Sequence, residues 1–139
     1  MKVNPSWPVI VAEDSRPDFL LLETVWKRAG EGHSLVCEPD GVALLQRLRV
    51  PGMRAALVLM DLNMPRKNGL DTLMEMKADP RLATVPVVMF STSRDEEDIR
   101  RAYELGVSSY VVKPMGLPEL VNAVALMRGY WLGLVEAPE

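Results

Sequence analysis

The chain has 139 residues, 48% of them apolar and 25% charged, with a formal net charge of -3, one cysteine and one histidine. These figures fit an ordinary globular domain that can bury roughly two-thirds of its unfolded surface. They exclude an intrachain disulfide at Cys37 and a multi-histidine metal site at His33, and the lack of a basic run argues against nucleic acid as a direct ligand. No apolar stretch approaches the roughly 20 residues that span a bilayer. The opening Met1 to Pro8 has no signal-peptide pattern, so a cytoplasmic location without membrane contact is the default expectation.

Strand and helix patterns then alternate in chain order. Pro8 to Ala12 reads as a short apolar strand ended by Glu13-Asp14. Asp14 or Ser15 can cap a helix from Arg16 to Ala29, with Phe19, Leu20, Leu22, Val25 and Trp26 on its apolar side, and Gly30-Glu31-Gly32 stops it. His33 to Glu38 is a second strand, and Gly41 to Val50 a second helix closed by Pro51-Gly52. Ala55 to Met60 is a third, wholly apolar strand, as a buried strand of a parallel sheet should be. Gly69 to Ala78 is the third helix, Pro86 to Phe90 the fourth strand, and Ser93 with Glu96 suits a capping box opening a helix to Leu105. Ser108 to Val112 is the fifth strand, ending at Lys113-Pro114. Leu117 to about Leu134 is the last helix, with Pro118 in its first turn.

Five strands alternating with five helices imply an α/β domain whose parallel sheet is covered on both faces. The expected solution is the flavodoxin-like, doubly wound (βα)5 fold with strand order 2-1-3-4-5. There is no repeat or linker, so residues 1–139 read as a single domain with no room for an output domain.

Open α/β sheets hold their ligands at the carboxyl ends of the strands. Here those ends carry Glu13-Asp14, Asp61, Ser91 and Lys113. Singly, each has an ordinary explanation: a helix cap, a strand-end hydroxyl, a solvated amine. Together on one sheet edge they form a constellation. Clustered carboxylates repel and call for a cation, and hard oxygen donors without His or Cys suit Mg2+. Such an ion keeps several waters and accepts a phosphate oxygen, while Lys113 offers a compact charge and Ser91 a hydrogen bond to others. One carboxylate could then attack a phosphoryl group and form an acyl phosphate.

The segments Val9-Ile-Val-Ala-Glu13-Asp14, Leu59-Met-Asp61-Leu-Asn-Met-Pro65 with Gly69, Val88-Met-Phe-Ser91 and Tyr110-Val-Val-Lys113-Pro114 carry a resemblance. The chain resembles the CheY-like receiver domains of two-component response regulators over nearly its whole length. The resemblance implies that Asp61 is the phosphoacceptor. It implies Mg2+ held by Asp14, Asp61 and the Asn63 backbone carbonyl, with Glu13 acting through water. Lys113 would bind the phosphoryl group, with a cis bond to Pro114. Ser91 would bond the phosphoryl oxygen and draw Tyr110, the aromatic switch residue, inward. Such a domain is a phosphoacceptor rather than an enzyme acting on a separate substrate. Its partners would be a sensor histidine kinase and a downstream protein at the helix 4–strand 5–helix 5 face, including Arg100, Tyr103, Glu104 and Tyr110.

Thr92 follows Ser91 where the family often has a smaller residue, and its bulk suggests a longer-lived acyl phosphate. The end of the chain, Ala125 to Val135, is unusually apolar. It is either a helix packed on the sheet or a dimer contact. That tail and Met64-Pro-Arg-Lys-Asn-Gly69 resemble the small receivers paired with bacterial phytochrome histidine kinases, which implies a light-regulated phosphodonor and a homodimer. A competing reading is a Mg2+-dependent phosphatase with an aspartyl nucleophile. That chemistry places a second Asp two residues on as general acid, and the residue here is Asn63. A flavodoxin is a weaker alternative, because the loop after the first strand is acidic where a flavin phosphate needs donors.

Overall fold

The elements are β1 (Val9–Ala12), α1 (Arg16–Ala29), β2 (Leu35–Glu38), α2 (Gly41–Leu48), β3 (Leu57–Met60), α3 (Gly69–Ala78), β4 (Val87–Ser91), α4 (Glu96–Glu104), β5 (Ser109–Val112) and α5 (Leu117–Met127). A segment of wide π-type turns, Arg128–Leu134, continues α5. This computed structural model describes residues 2–137, so three of the residues in the 1–139 domain reading lie outside it. The sheet is parallel, in order β2-β1-β3-β4-β5, as the alternating pattern predicts.

β1, β3 and β4 are buried along their whole length, which is why their sequences are apolar throughout. Successive side chains point to opposite faces. Val9, Val11, Leu57, Leu59, Val88 and Phe90 face a core layer built with α1 and α5. Ile10, Ala12, Val58, Met60, Val87 and Met89 face the other layer, with α2 and α3. Trp26 of α1 fills the first layer at 1% exposure. Its indole N–H donates to the His33 carbonyl at 2.9 Å, and the Arg128 guanidinium lies 4.8 Å from its ring centroid.

The register brings the strand ends level. Ala12 pairs with Met60 and Ser91 with Val112, so Glu13, Asp61, Ser91 and Lys113 emerge on one edge. Two cross-strand bonds lock that edge: Asp61 N–H to the Ala12 carbonyl at 2.9 Å and Lys113 N–H to the Ser91 carbonyl at 2.8 Å.

Several expectations need correction. β3 begins at Leu57 rather than Ala55, and α2 ends at Leu48 rather than Val50. β2 begins at Leu35, not His33, because His33 adopts φ +53° and cannot extend the strand. The capping box of α4 does not form. Asp95 is the N-cap, accepting from Glu97 N–H at 2.8 Å, while the Ser93 hydroxyl donates to Asp98 at 2.7 Å. Regular α5 ends at Met127 rather than Leu134. Gly129 and Gly133 weaken the helix beyond it, and the chain widens into turns closed by Val135 N–H to the Tyr130 carbonyl at 3.1 Å. Lys113–Pro114 is trans, with no cis peptide among the described residues. Trans is the favoured isomer of such bonds by about 0.5–1 kcal/mol.

Candidate functional site

Asp61 is held by its own loop. One carboxylate oxygen accepts the Leu62 N–H at 2.8 Å, and the other faces the Lys113 amine at 3.4 Å. Gly69 sits against the same peptide: a Cβ there would lie 2.4 Å from the Asp61 carbonyl oxygen. Only a glycine lets α3 start this close to the end of β3, with its N–H bonded to the Leu62 carbonyl at 2.8 Å. The glycine eight residues after Asp61 therefore sets the packing of the loop under the carboxylate.

Glu13, Asp14 and Asp61 each offer an oxygen, and these oxygens all lie within 4.8 Å of one another. Glu13 is buried, Asp61 half-buried and Asp14 exposed. The Lys113 amine bonds Glu13 directly and lies 3.8 Å from Asp18, a neighbour that sequence reasoning did not pick out. Burial pushes the Glu13 carboxyl above its ordinary pKa against the pull of Lys113, and the Asp61 charge adds to the rise. Burial pulls Lys113 the other way. The hydrogen bond to Glu13 and the charges of Asp61, Glu13 and Asp18 outweigh it and raise its pKa. Three carboxylates opposed by one amine form an excess of negative charge with hard oxygen donors. That donor set fits a hard divalent cation.

Ser91 is fully buried and its hydroxyl accepts the Ser93 N–H at 3.2 Å. The Tyr110 hydroxyl donates to the Ser93 carbonyl at 2.9 Å, and the ring is half-buried against the second core layer. Ser91 and Tyr110 are thus linked through the single residue Ser93. Sequence reasoning named the two ends of this linkage and read its middle, Ser93, only as a helix cap. Thr92 lines a cavity of about 270 Å³ beside Asp61, Lys113 and Glu13. Asn63 is exposed on the loop after β3.

A family model described as the response regulator receiver domain matches residues 9–125. The response regulator Rcp1 of Synechocystis sp. is 36% identical over 140 residues, covering 97% of this chain and 95% of its own length. The crystal structure of the Mn2+-bound form of Rcp1 superposes with a TM-score of 0.86 at 35% identity, covering 96% of this chain and 99% of that one. The phosphorylated cyanobacterial phytochrome response regulator RcpA superposes at 0.89 with 33% identity and the coverage 96% and 99%. Among the described residues, no helix is long and apolar enough to cross a membrane.

Proposed function

The chain belongs to the response regulator receiver domain family, and from that membership we propose that it takes a phosphoryl group on Asp61 from a sensor histidine kinase with Mg2+. The observation that carries this reading is the convergence of Glu13, Asp14 and Asp61 within 4.8 Å, faced by Lys113.

Asp61 acts as the nucleophile. Its carboxylate oxygen nearest Lys113 attacks phosphorus, the P–N bond to the kinase's phosphohistidine breaks, and its electrons return to the imidazole. The product is a mixed carboxylic–phosphoric anhydride. Asp14, Asp61 and the Asn63 carbonyl would hold the cation, with Glu13 acting through water. When bound, Mg2+ offsets charge on the phosphoryl oxygens. Lys113 stands ready to bind one phosphoryl oxygen, and Ser91 to bond another once it turns from Ser93. That turn disturbs the Ser93 peptide to which Tyr110 is bonded, and Tyr110 moves inward with it. A phosphoryl group adds nearly two negative charges. Moving a two-state surface from 1:99 to 99:1 takes about 5.5 kcal/mol of differential contact, so a full switch needs several new contacts at once, those of Lys113 and Ser91 among them.

The output is a surface at α4, β5 and α5, read by a downstream protein. The similarity to the cyanobacterial phytochrome response regulator RcpA supports a phytochrome-type kinase as phosphodonor, and the same reading places the exchange in the cytoplasm. Trp131 and Leu132 pack on the core, but Leu126, Tyr130 and Leu134 stay exposed, which supports a homodimer through this face and the C-terminal segment. Sedimentation should show a dimer that Leu126→Glu converts to a monomer. A parent that is monomeric at high micromolar concentration removes the dimer from the account.

Acetyl phosphate with Mg2+, read by intact mass, tests the reaction. One phosphoryl group per chain, lost when the metal is chelated, is expected. Continuous release of free phosphate would instead favour a phosphatase, although Asn63 cannot protonate a leaving group. Thr92→Ala opens the cavity over Asp61 and should shorten the lifetime of the phosphorylated form about threefold or more (about 0.7 kcal/mol of barrier). An unchanged lifetime removes Thr92 from access control.

A further inference from the structure

The loop from β3 to α3 is pinned at two places. Near its start and end, Gly69 N–H bonds the Leu62 carbonyl at 2.8 Å. In its middle, the Arg66 guanidinium forks onto Asp40, Nε to Oδ2 at 2.8 Å and Nη2 to Oδ1 at 3.1 Å. The neighbouring Lys67 carbonyl accepts the Gly41 N–H at 3.2 Å. Asp40 is buried, and its Oδ1 also takes the Ala43 N–H at 2.9 Å as the N-cap of α2. One carboxylate therefore caps a helix and holds a loop on a different element.

Arg66 has φ +61°, in the left-handed region that residues with a Cβ rarely occupy. Such a conformation persists where the surroundings over-determine it, and the two-pronged bond to Asp40 does so. A lysine in its place would offer a point charge without the planar fork. Asn63 lies between the two pins, exposed to solvent.

We propose that the Asp40–Arg66 pair is a positioning clamp for the metal site: it fixes the loop so that the Asn63 carbonyl stands where the divalent cation needs it. This rests on the metal reading above and adds two residues outside the acidic edge. Groups that orient a metal ligand without touching the metal change affinity by about 10- to 100-fold when lost.

The test separates positioning from simple stability. Arg66→Gly removes the fork but relieves the left-handed backbone, and Asp40→Asn removes the charge but keeps a good cap. Calorimetric titration with Mg2+ alone should give a dissociation constant at least about tenfold above the parent's for each. The thermal midpoint of Asp40→Asn, whose partner Arg66 is exposed, should stay close to the parent's, whereas that of Arg66→Gly falls because the buried Asp40 loses its cation. The double variant should bind no more weakly than the worse single, because both changes break one interaction. Saturating Mg2+ should restore phosphorylation by acetyl phosphate. Parent-like Mg2+ affinity in both variants, or affinity falling only in step with the midpoint, overturns the clamp. A parent that binds no Mg2+ overturns the site reading itself, and the clamp with it.

Discussion

Asp61→Asn should take up no phosphoryl group from acetyl phosphate under conditions expected to phosphorylate the parent, and it should remain folded. The carboxylate oxygen facing Lys113 at 3.4 Å becomes an amide without nucleophilic lone-pair density. The oxygen bonded to Leu62 N–H keeps its role, because an asparagine carbonyl accepts the same bond. The substitution removes one of three carboxylates gathered within 4.8 Å, so repulsion with Glu13 and Asp14 falls. The thermal midpoint without metal should therefore stay level or rise, and the added stability conferred by Mg2+ should shrink. Phosphorylation of the variant at the parent's rate would move the acceptor to Glu13 or Asp14 and break the mechanism.

Trp26→Ala should have the largest effect on stability. The indole is 1% exposed and closes the core layer between the sheet, α1 and α5. Truncating a buried aromatic costs about 3–5 kcal/mol, a fall in midpoint on the order of 15 °C for a domain of this size. Two neighbours add to it. The His33 carbonyl loses its donor at 2.9 Å. Arg128 loses the ring on which it rests 4.8 Å away, although it keeps its bond to the Glu31 carbonyl at 2.6 Å. Trp26→Phe keeps much of the volume and isolates the hydrogen bond, at about 1–3 kcal/mol. Urea denaturation of the three proteins reads these values. A loss under about 1 kcal/mol for the alanine variant would contradict the packing described for this layer.

The strand-end residues were legible because the chemistry and the topology share one signal. Apolar strands that stop on Glu13, Asp61, Ser91 and Lys113 fix both the parallel sheet and the edge where those groups meet. The limits of α1 and α3 were legible for a local reason: Ser15, Asn68 and the flanking Gly and Pro residues act within one turn. What escaped the sequence depends on distant partners. Nothing near Arg66 announces a bond to Asp40, 26 positions away. Ser93 looks like a helix cap until the Tyr110 hydroxyl is seen on its carbonyl. The π-type end of α5 was hidden because the apolar run through Trp131 and Leu132 fits a helix. The two glycines decide where it widens, and the widening lets both consecutive side chains reach the core.

The most direct measurement is reduction of the acetyl-phosphate-treated protein with borohydride, which converts an aspartyl phosphate to homoserine, followed by peptide mapping. Homoserine is expected at position 61 alone, formed only when Mg2+ is present. Homoserine at another position, or none from a protein that carries a phosphoryl group, would contradict Asp61 as the acceptor.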